Sequence, residues 1–405
     1  MNYDKLLATR TARIRASAIR ELLKLAADPN LISLGGGLPS PESFPLDLVM
    51  ELTDKVLKKY ASTALQYDTT EGFTPLRKAL IDYVKTKGVD AKLENIYITS
   101  GSQGFLDAIG KLLISPGDYV AVEGPTYLAA LQAFNAYEVN YAQVQTDDEG
   151  VIPESMEKMI QTYPLKFVYT IPTFQNPAGK TIGLKRREQI AEIILKHDVL
   201  LIEDDPYSAL RYKGEKLPTI KSMAPDNVIY ASTFSKIFAP GLRIGFFVAP
   251  EKLGRWLVLV KQGVDLNTCT FTQALATEYL SGDYVSGQVK KIINLYHPKL
   301  ETMLKALEDN FSSDFKWSKP EGGMFVWVEG PKGMDMEEVY KRAIKKGVGF
   351  VPGKFFFPNP DDGIETMRLN FTNITEDQIK HAIKVLASVV KDDLEQPKVI
   401  EKVTE

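Results

Sequence analysis

The feature that most constrains this chain is an alternation through its middle. Six short runs rich in β-branched and aromatic residues, NIYIT, DYVAVE, KFVYTIP, VLLIED, NVIYAS and RIGFFVA, recur between residues 95 and 249. Between them, segments 102–114, 127–136, 153–161 and 184–197 place their apolar residues at helical spacing. Strands separated by helices pair in parallel, and the helices then cover both faces of the sheet. The pattern therefore predicts an α/β fold with a mostly parallel sheet flanked by helices. Ligands of such sheets lie beyond the carboxyl ends of the strands. The loops after each run are where chemistry is to be sought.

Beyond residue 285 the pattern changes. A long helical stretch (283–310) precedes FKWSKPEGGMFVWVEG, which reads as strand, glycine turn and strand. A helix near 336–346, the loop VPGKFFFPNPDDG, the strand TMRLNFT and a terminal helix from Glu376 follow. This order predicts a smaller α+β domain. The expected division is a large domain over 40–285 and a small one formed by 1–39 with 286–405. The first 25 residues carry four arginines and one acid before Glu21 and are expected to form an amphipathic helix. The polar tail DDLEQPKVIEKVTE is expected to fray.

Composition removes several functions. A formal net charge of −3 gives no basic field for nucleic acid. No apolar run approaches the roughly 20 residues of a membrane span. The single cysteine, Cys269, rules out an intrachain disulfide and fits a reducing, cytoplasmic compartment. His197, His297 and His381 are dispersed, without metal-ligand spacing.

The loops are more informative. In ITSGSQGFLDAIG a strand and a glycine turn open a helix whose first amides suit a phosphate, with Ser102 or a neighbour as its cap. Tyr127, in VEGPTY, stands where a ring either stacks on a flat ligand or packs on its own helix. Asn176, in QNPAG, precedes a proline and is kept extended, presenting its amide. Glu203, Asp204 and Asp205 crowd the end of an apolar strand and need a cation or a proton donor; a metal or a cationic organic ring would serve. In STFSKIFAPGLRIG, hydroxyls and Arg243 suit a phosphate, and Arg243 is expected to depress the Lys236 amine, making it nucleophilic toward a carbonyl. Phosphate, flat ring, ring cation and trapped carbonyl together describe pyridoxal 5′-phosphate.

At these residues the chain resembles the class I aminotransferases, pyridoxal-phosphate enzymes of the aspartate-aminotransferase fold (fold type I). It looks closest to the branch with kynurenine/α-aminoadipate aminotransferases and LysN-type enzymes. TFSKIFAPGLRIG, QNPAG, EDDPY, ISLGGGLPSPESFP and LQYDTTEGFTPLR carry the likeness, which extends over essentially the whole chain. It implies that Lys236 forms the imine link to the cofactor and Asp204 pairs with the pyridine nitrogen. Tyr207 and Asn176 would bond the ring oxygen, and Tyr127 would stack on the ring. Arg243, Ser235, Thr233, Ser102 and Gln103 would hold the phosphate. Tyr67 would reach the phosphate of a second subunit, implying a homodimer with shared sites. Arg368 would clamp the substrate carboxylate, Gly36 would line the substrate path, and Arg20 would meet an acidic side chain. Thr233 stands where serine is common, and Gly104 where a larger residue is usual.

The implied reaction is amino transfer from an L-amino acid (2-aminoadipate, glutamate, aromatic or aliphatic) to a 2-oxo acid such as 2-oxoglutarate, by a ping-pong route. A β-lyase or decarboxylase on the same fold is the alternative. An aminotransferase-like regulator would need an upstream DNA-binding module, and the roughly 30 residues before SLGGGLP are expected to be too few.

Overall fold

The computed structural model describes residues 1–14 and 31–395, with side chains to residue 392. Its central sheet contains β2 (Ile96–Ser100), β3 (Tyr119–Gly124), β4 (Asn140–Asp147), β5 (Gly150–Val151), β6 (Leu165–Thr170), β7 (Leu201–Asp204), β8 (Val228–Thr233) and β9 (Ile244–Val248). They lie in the order β2-β9-β8-β7-β6-β3-β4-β5. From β4 to β8 the neighbours are parallel; β9 runs antiparallel to both β8 and β2, and β5 antiparallel to β4. Every residue of β7, β8 and β9 is buried, as expected where helices cover both faces. Helices Gly101–Leu113, Leu128–Asn135, Pro153–Thr162 and Leu184–Lys196 appear within a residue or two of their expected places.

A second, antiparallel sheet has the order β10-β11-β14-β13. It is built from Lys316–Trp317 (β10), Phe325–Glu329 (β11), Val351–Pro352 (β13) and Thr366–Asn370 (β14). The long helices Tyr284–Asn310 and Glu376–Glu395 share one core cluster with it, through Met303, Leu307, Ile379 and Ile383. A short parallel pair, β1 (Ile32–Ser33) with β12 (Val348–Gly349), ties the chain near residue 32 to this half. The segment that follows, residues 34–40, then runs past Arg368 and Lys236.

Two expectations need correction. The described start of the chain is not a continuous helix but two short 3₁₀ turns, Tyr3–Leu6 and Thr9–Arg13. Tyr3, Leu6, Leu7 and Ile14 are all exposed, and a short helix without a buried stripe has little to stabilise it. Residues 15–30, Arg20 among them, lie outside the described residues. The tail does not fray at once: the last helix continues through Glu395, and residues 396–405 lie outside the described residues. None of the described helices is long and apolar enough to cross a membrane.

Candidate active site

The carboxyl ends of β2, β3, β6, β7 and β8, and the start of antiparallel β9, all open on one edge of the central sheet. Lys236 closes a single 3₁₀ turn, Phe234–Lys236, immediately after β8. The Thr233 hydroxyl fixes that turn: it accepts from the Ser235 amide at 3.2 Å, donates to the Ile244 carbonyl at 2.9 Å, and lies 2.9 Å from the Ser235 hydroxyl. Lys236 Nζ donates to the Gly37 carbonyl at 2.9 Å. Burial lowers the Lys236 amine to about 8, with Arg368 and then Arg243 adding to the effect. Arg243, expected from the sequence to depress this amine, is thus the smallest of the three causes, after desolvation and Arg368.

The three acids at the end of β7 do not form one cluster. Alternation sends Glu203 and Asp204 to opposite faces. Glu203 accepts from the Ile220 and Lys221 amides at 3.0 and 2.8 Å. Asp205 accepts from Tyr230 Oη at 2.7 Å and from the Ser208 amide and hydroxyl at 3.0 and 2.6 Å. Asp204 Oδ2 accepts from Tyr169 Oη at 2.8 Å, whereas Asp204 Oδ1 is buried without a partner among the described residues. Burial raises the Asp204 carboxyl to about 7, opposed by the Tyr169 hydrogen bond. Among the described residues no group of three or more His, Cys, Asp or Glu is placed to hold a metal ion.

Arg368, on β14, is fully buried and lies between the Phe325 and Phe356 rings, 4.3 and 4.9 Å from their centroids. Its Nη1 donates to Asn176 Oδ1 at 2.8 Å and its Nη2 to the Gly35 carbonyl at 2.6 Å; Nε has no partner among the described residues. Burial lowers this guanidinium to about 10. Asn176 also donates through Nδ2 to Tyr207 Oη, at 3.4 Å. Buried Gly36 sits between Gly35, which meets Arg368, and Gly37, which meets Lys236.

The helix Gly101–Leu113 begins one residue before Ser102, with Ser100 at the cap position. Ser102 is therefore in the first turn and is not the cap. The Ser100 hydroxyl makes no capping bond but points to Asp265 Oδ2 at 2.9 Å. This leaves first-turn amides free of a side-chain cap, the condition for an anion to take that place. Arg243, in the left-handed region at φ 52°, lays its guanidinium over this turn, with Nη2 3.3 Å from the Ser100 carbonyl. Gly101 adopts φ 71°, which favours glycine, and an added Cβ there would also push the Arg243 guanidinium aside. Exposed Gln103 reaches the Ala129 carbonyl at 3.4 Å. Tyr127, just ahead of the helix Leu128–Asn135, feels the charges of Asp204, Arg368 and Arg243. Tyr67 is 77% exposed, and its amide meets Gln66 Oε1.

Three residues in this region went unnoticed in the sequence. Tyr169 holds Asp204. Glu123, at the end of β3, accepts from Thr170 Oγ1 (2.9 Å), the Ile171 amide (3.2 Å) and Gln175 Nε2 (3.1 Å). Gln175 also donates to the Pro125 carbonyl (2.7 Å) and accepts from the Ala178 amide (2.8 Å), shaping the loop that carries Asn176. An acid closing an apolar strand, the cue that drew attention to Asp204, was equally present at Glu123.

An amine lowered to about 8, a first helical turn covered by an arginine, a buried carboxylate with one vacant oxygen and a buried guanidinium with a vacant N–H lie along this edge of the sheet. The family profile described as "Aminotransferase class I and II" matches residues 30–386. Aromatic-amino-acid aminotransferase 1 of Thermococcus litoralis is 46% identical over 98% of this chain and 96% of its own. The 2-aminoadipate transaminase of Thermus thermophilus is 35% identical over 96% and 98%. The crystal structure of Pyrococcus horikoshii kynurenine aminotransferase superposes with a TM-score of 0.93 at 45% identity, covering 98% of this chain and 99% of that one. The chain belongs to the class I and II aminotransferases, with the aspartate-aminotransferase-like fold expected from its sequence. It is a pyridoxal-phosphate-dependent enzyme, and the vacant Asp204 oxygen and the Arg243 cradle fit that cofactor.

Proposed function

We propose that the protein transfers the amino group of an aromatic L-amino acid or of 2-aminoadipate to 2-oxoglutarate by a ping-pong route. The observation that carries this reading is Arg368: a buried guanidinium with a vacant N–H, walled by Phe325 and Phe356. Such a group takes a carboxylate bidentately beside an apolar side chain. The substrates named for the relatives above agree with that wall.

Bound pyridoxal phosphate supplies the carbonyl carbon that takes up the amino group and an electron-accepting ring. Asp204 Oδ1 would meet the ring nitrogen, Asn176 with Tyr207 would meet the ring oxygen, and Tyr127 would stack on the ring. The Gly101–Gln103 turn, Ser235 and Arg243 would hold the phosphate, while Thr233, whose hydroxyl donates to the Ile244 carbonyl, braces the turn that carries Ser235. Once displaced, the Lys236 amine, uncharged at little cost because burial has lowered its pKa, takes the proton from the substrate Cα and returns it.

The large unit over 40–285, and the small unit of 1–39 with 286–405, would bring Lys236 and Arg368 together from either side of the cleft. Exposed Leu65, Tyr67, Trp256, Leu259 and Leu266 support a homodimer in which Tyr67 reaches the second copy's phosphate; light scattering checks it. The lone cysteine agrees with a cytoplasmic setting.

The test is a panel of amino donors against 2-oxoglutarate, with initial rates at crossed concentrations. Aromatic donors and 2-aminoadipate should give the highest kcat/KM, with parallel double-reciprocal lines. Turnover without a 2-oxo acid acceptor would identify a lyase or decarboxylase instead.

A further inference from the structure

Tyr169 lies in the middle of the core, fully buried, on a strand whose neighbours Phe167 and Val168 are apolar. Phenylalanine would fill the same space. A buried phenol that lacked a partner would be costly, so the hydroxyl is there for what it bonds. Its one bond is to Asp204 Oδ2, at 2.8 Å.

The register allows this bond. Tyr169 of β6 pairs with Ile202 of β7, so Asp204, two residues further on, faces the same side of the sheet. Phe134, packed edge-on against Tyr169 at 5.9 Å and 80°, fixes the ring. Phe134 belongs to the helix that starts just after Tyr127. Burial, and then the Asp204 charge, push the Tyr169 hydroxyl far above the usual tyrosine value. It remains a donor at every pH the enzyme meets. A carboxylate with a single fixed donor has one oxygen engaged and one left over, and the leftover atom is Asp204 Oδ1.

We propose that Tyr169 is a positioning residue that fixes the plane of the Asp204 carboxylate, so that Oδ1 alone is presented to the cofactor's ring nitrogen. It touches neither cofactor nor substrate and acts through Asp204. The inference rests on Asp204 meeting that nitrogen, as proposed above. Its removal leaves both Asp204 oxygens without a donor in a buried site, so the carboxyl turns freely and takes up a proton, and its contact with the ring nitrogen weakens.

The test uses full-length apoenzyme titrated with two ligands: pyridoxal phosphate and its 1-deaza analogue, in which CH replaces the ring nitrogen. Wild type should prefer pyridoxal phosphate. In Tyr169→Phe that preference should shrink at least about fivefold, the size expected for losing a hydrogen bond to a charged group. Affinity for the deaza analogue should stay within about twofold, since it makes no bond to Asp204. A merely structural tyrosine would weaken both ligands equally; an unchanged ratio in Tyr169→Phe therefore overturns the role of Tyr169. A wild-type ratio near one overturns the Asp204 contact and this inference with it. Should Tyr169→Phe not fold, 3,5-difluorotyrosine at position 169 keeps the shape and strengthens the donor. The preference should then rise, and an unmoved preference counts against Tyr169.

Discussion

Glu203 and Asp204 are consecutive in β7, fully buried, and both raised by burial to about 7. They face opposite sides of the same sheet, and the two sides differ in kind. On the Glu203 side, Glu203, Arg187 and Lys221 are enclosed in bonds. Arg187 Nη1 lies 4.0 Å from Glu203. Its nitrogens donate to the Ile182, Pro218 and Pro172 carbonyls and to Thr173 Oγ1, at 2.7–3.0 Å. Lys221 Nζ donates to the Pro225 and Val228 carbonyls. None of these groups has a buried atom without a partner. On the Asp204 side, Asp204 Oδ1 and Arg368 Nε are both vacant. A perturbed pKa does not distinguish the two faces; the unfilled bonding positions do. One face holds the fold together, and the other keeps positions open for a ligand.

Removing a group from the open face should abolish chemistry and spare stability. Lys236→Ala is expected to lower transamination by about 10³-fold or more, since the variant loses both a nucleophile and a base. Its apoenzyme should unfold no more easily than wild type, because Lys236 is a buried cation repelled by Arg368 and Arg243. The pH dependence has a definite sign. Between about 8 and the ordinary lysine value of 10.5, the unfolded chain holds a proton at position 236 that the folded apoenzyme does not. Wild-type apoenzyme should therefore gain stability on Lys236→Ala as pH rises through that window. Urea titrations at pH 7.5 and 10 read this out, and a gain in the opposite direction would place the amine in a paired, charge-stabilising environment.

The closed face should behave in reverse. Arg187→Ala strips a paired cation from Glu203, takes the guanidinium donor from the Ile182 and Pro218 carbonyls and the Thr173 hydroxyl, and leaves the Pro172 carbonyl with the Ile182 amide alone. The expected loss is about 3–5 kcal/mol of stability, measured by urea unfolding, with turnover per folded molecule close to wild type. A variant as stable as wild type but inactive would move Arg187 into the site and dissolve the contrast.

How far each face can be read from sequence follows from the same contrast. Lys236, Asn176, Asp204 and Arg243 stand in loops or at strand ends, where a polar residue interrupts an apolar run, and a strand-end search reaches them. Tyr169 sits inside the run KFVYTIP, and its hydroxyl gains meaning only from the β6–β7 register. The Gly35 and Gly37 carbonyls that receive Arg368 and Lys236 depend on a tertiary approach of residues 35–37, which local pattern does not encode. Arg187 reads as one more charge on an amphipathic helix, yet it is fully buried. The alternation of runs sufficed for the layers because it depends on period alone. The first 14 residues depart from expectation with Tyr3, Leu6, Leu7 and Ile14 exposed, and so short a helix without a buried stripe has little to stabilise it.

The smallest effect concerns where the open face ends. Gly101 and Gly104 share the first turns of the helix over the phosphate cradle. Gly101 adopts φ 71° and lies against the Arg243 guanidinium, so its Cα–H is part of the cradle. At Gly104 an added Cβ would meet Ser100 Cβ at 3.7 Å and Thr99 Cβ at 3.8 Å, ordinary van der Waals contact on the helix's inner side. Gly104→Ala should then stabilise the protein by about 0.5–1 kcal/mol, through the lower conformational entropy of the unfolded chain and better helix propensity. Pyridoxal phosphate affinity, followed by fluorescence titration of the apoenzyme, should not change. If affinity falls while stability rises, residue 104 faces the ligand, and the open region extends a full turn further along this helix than its vacant atoms indicate.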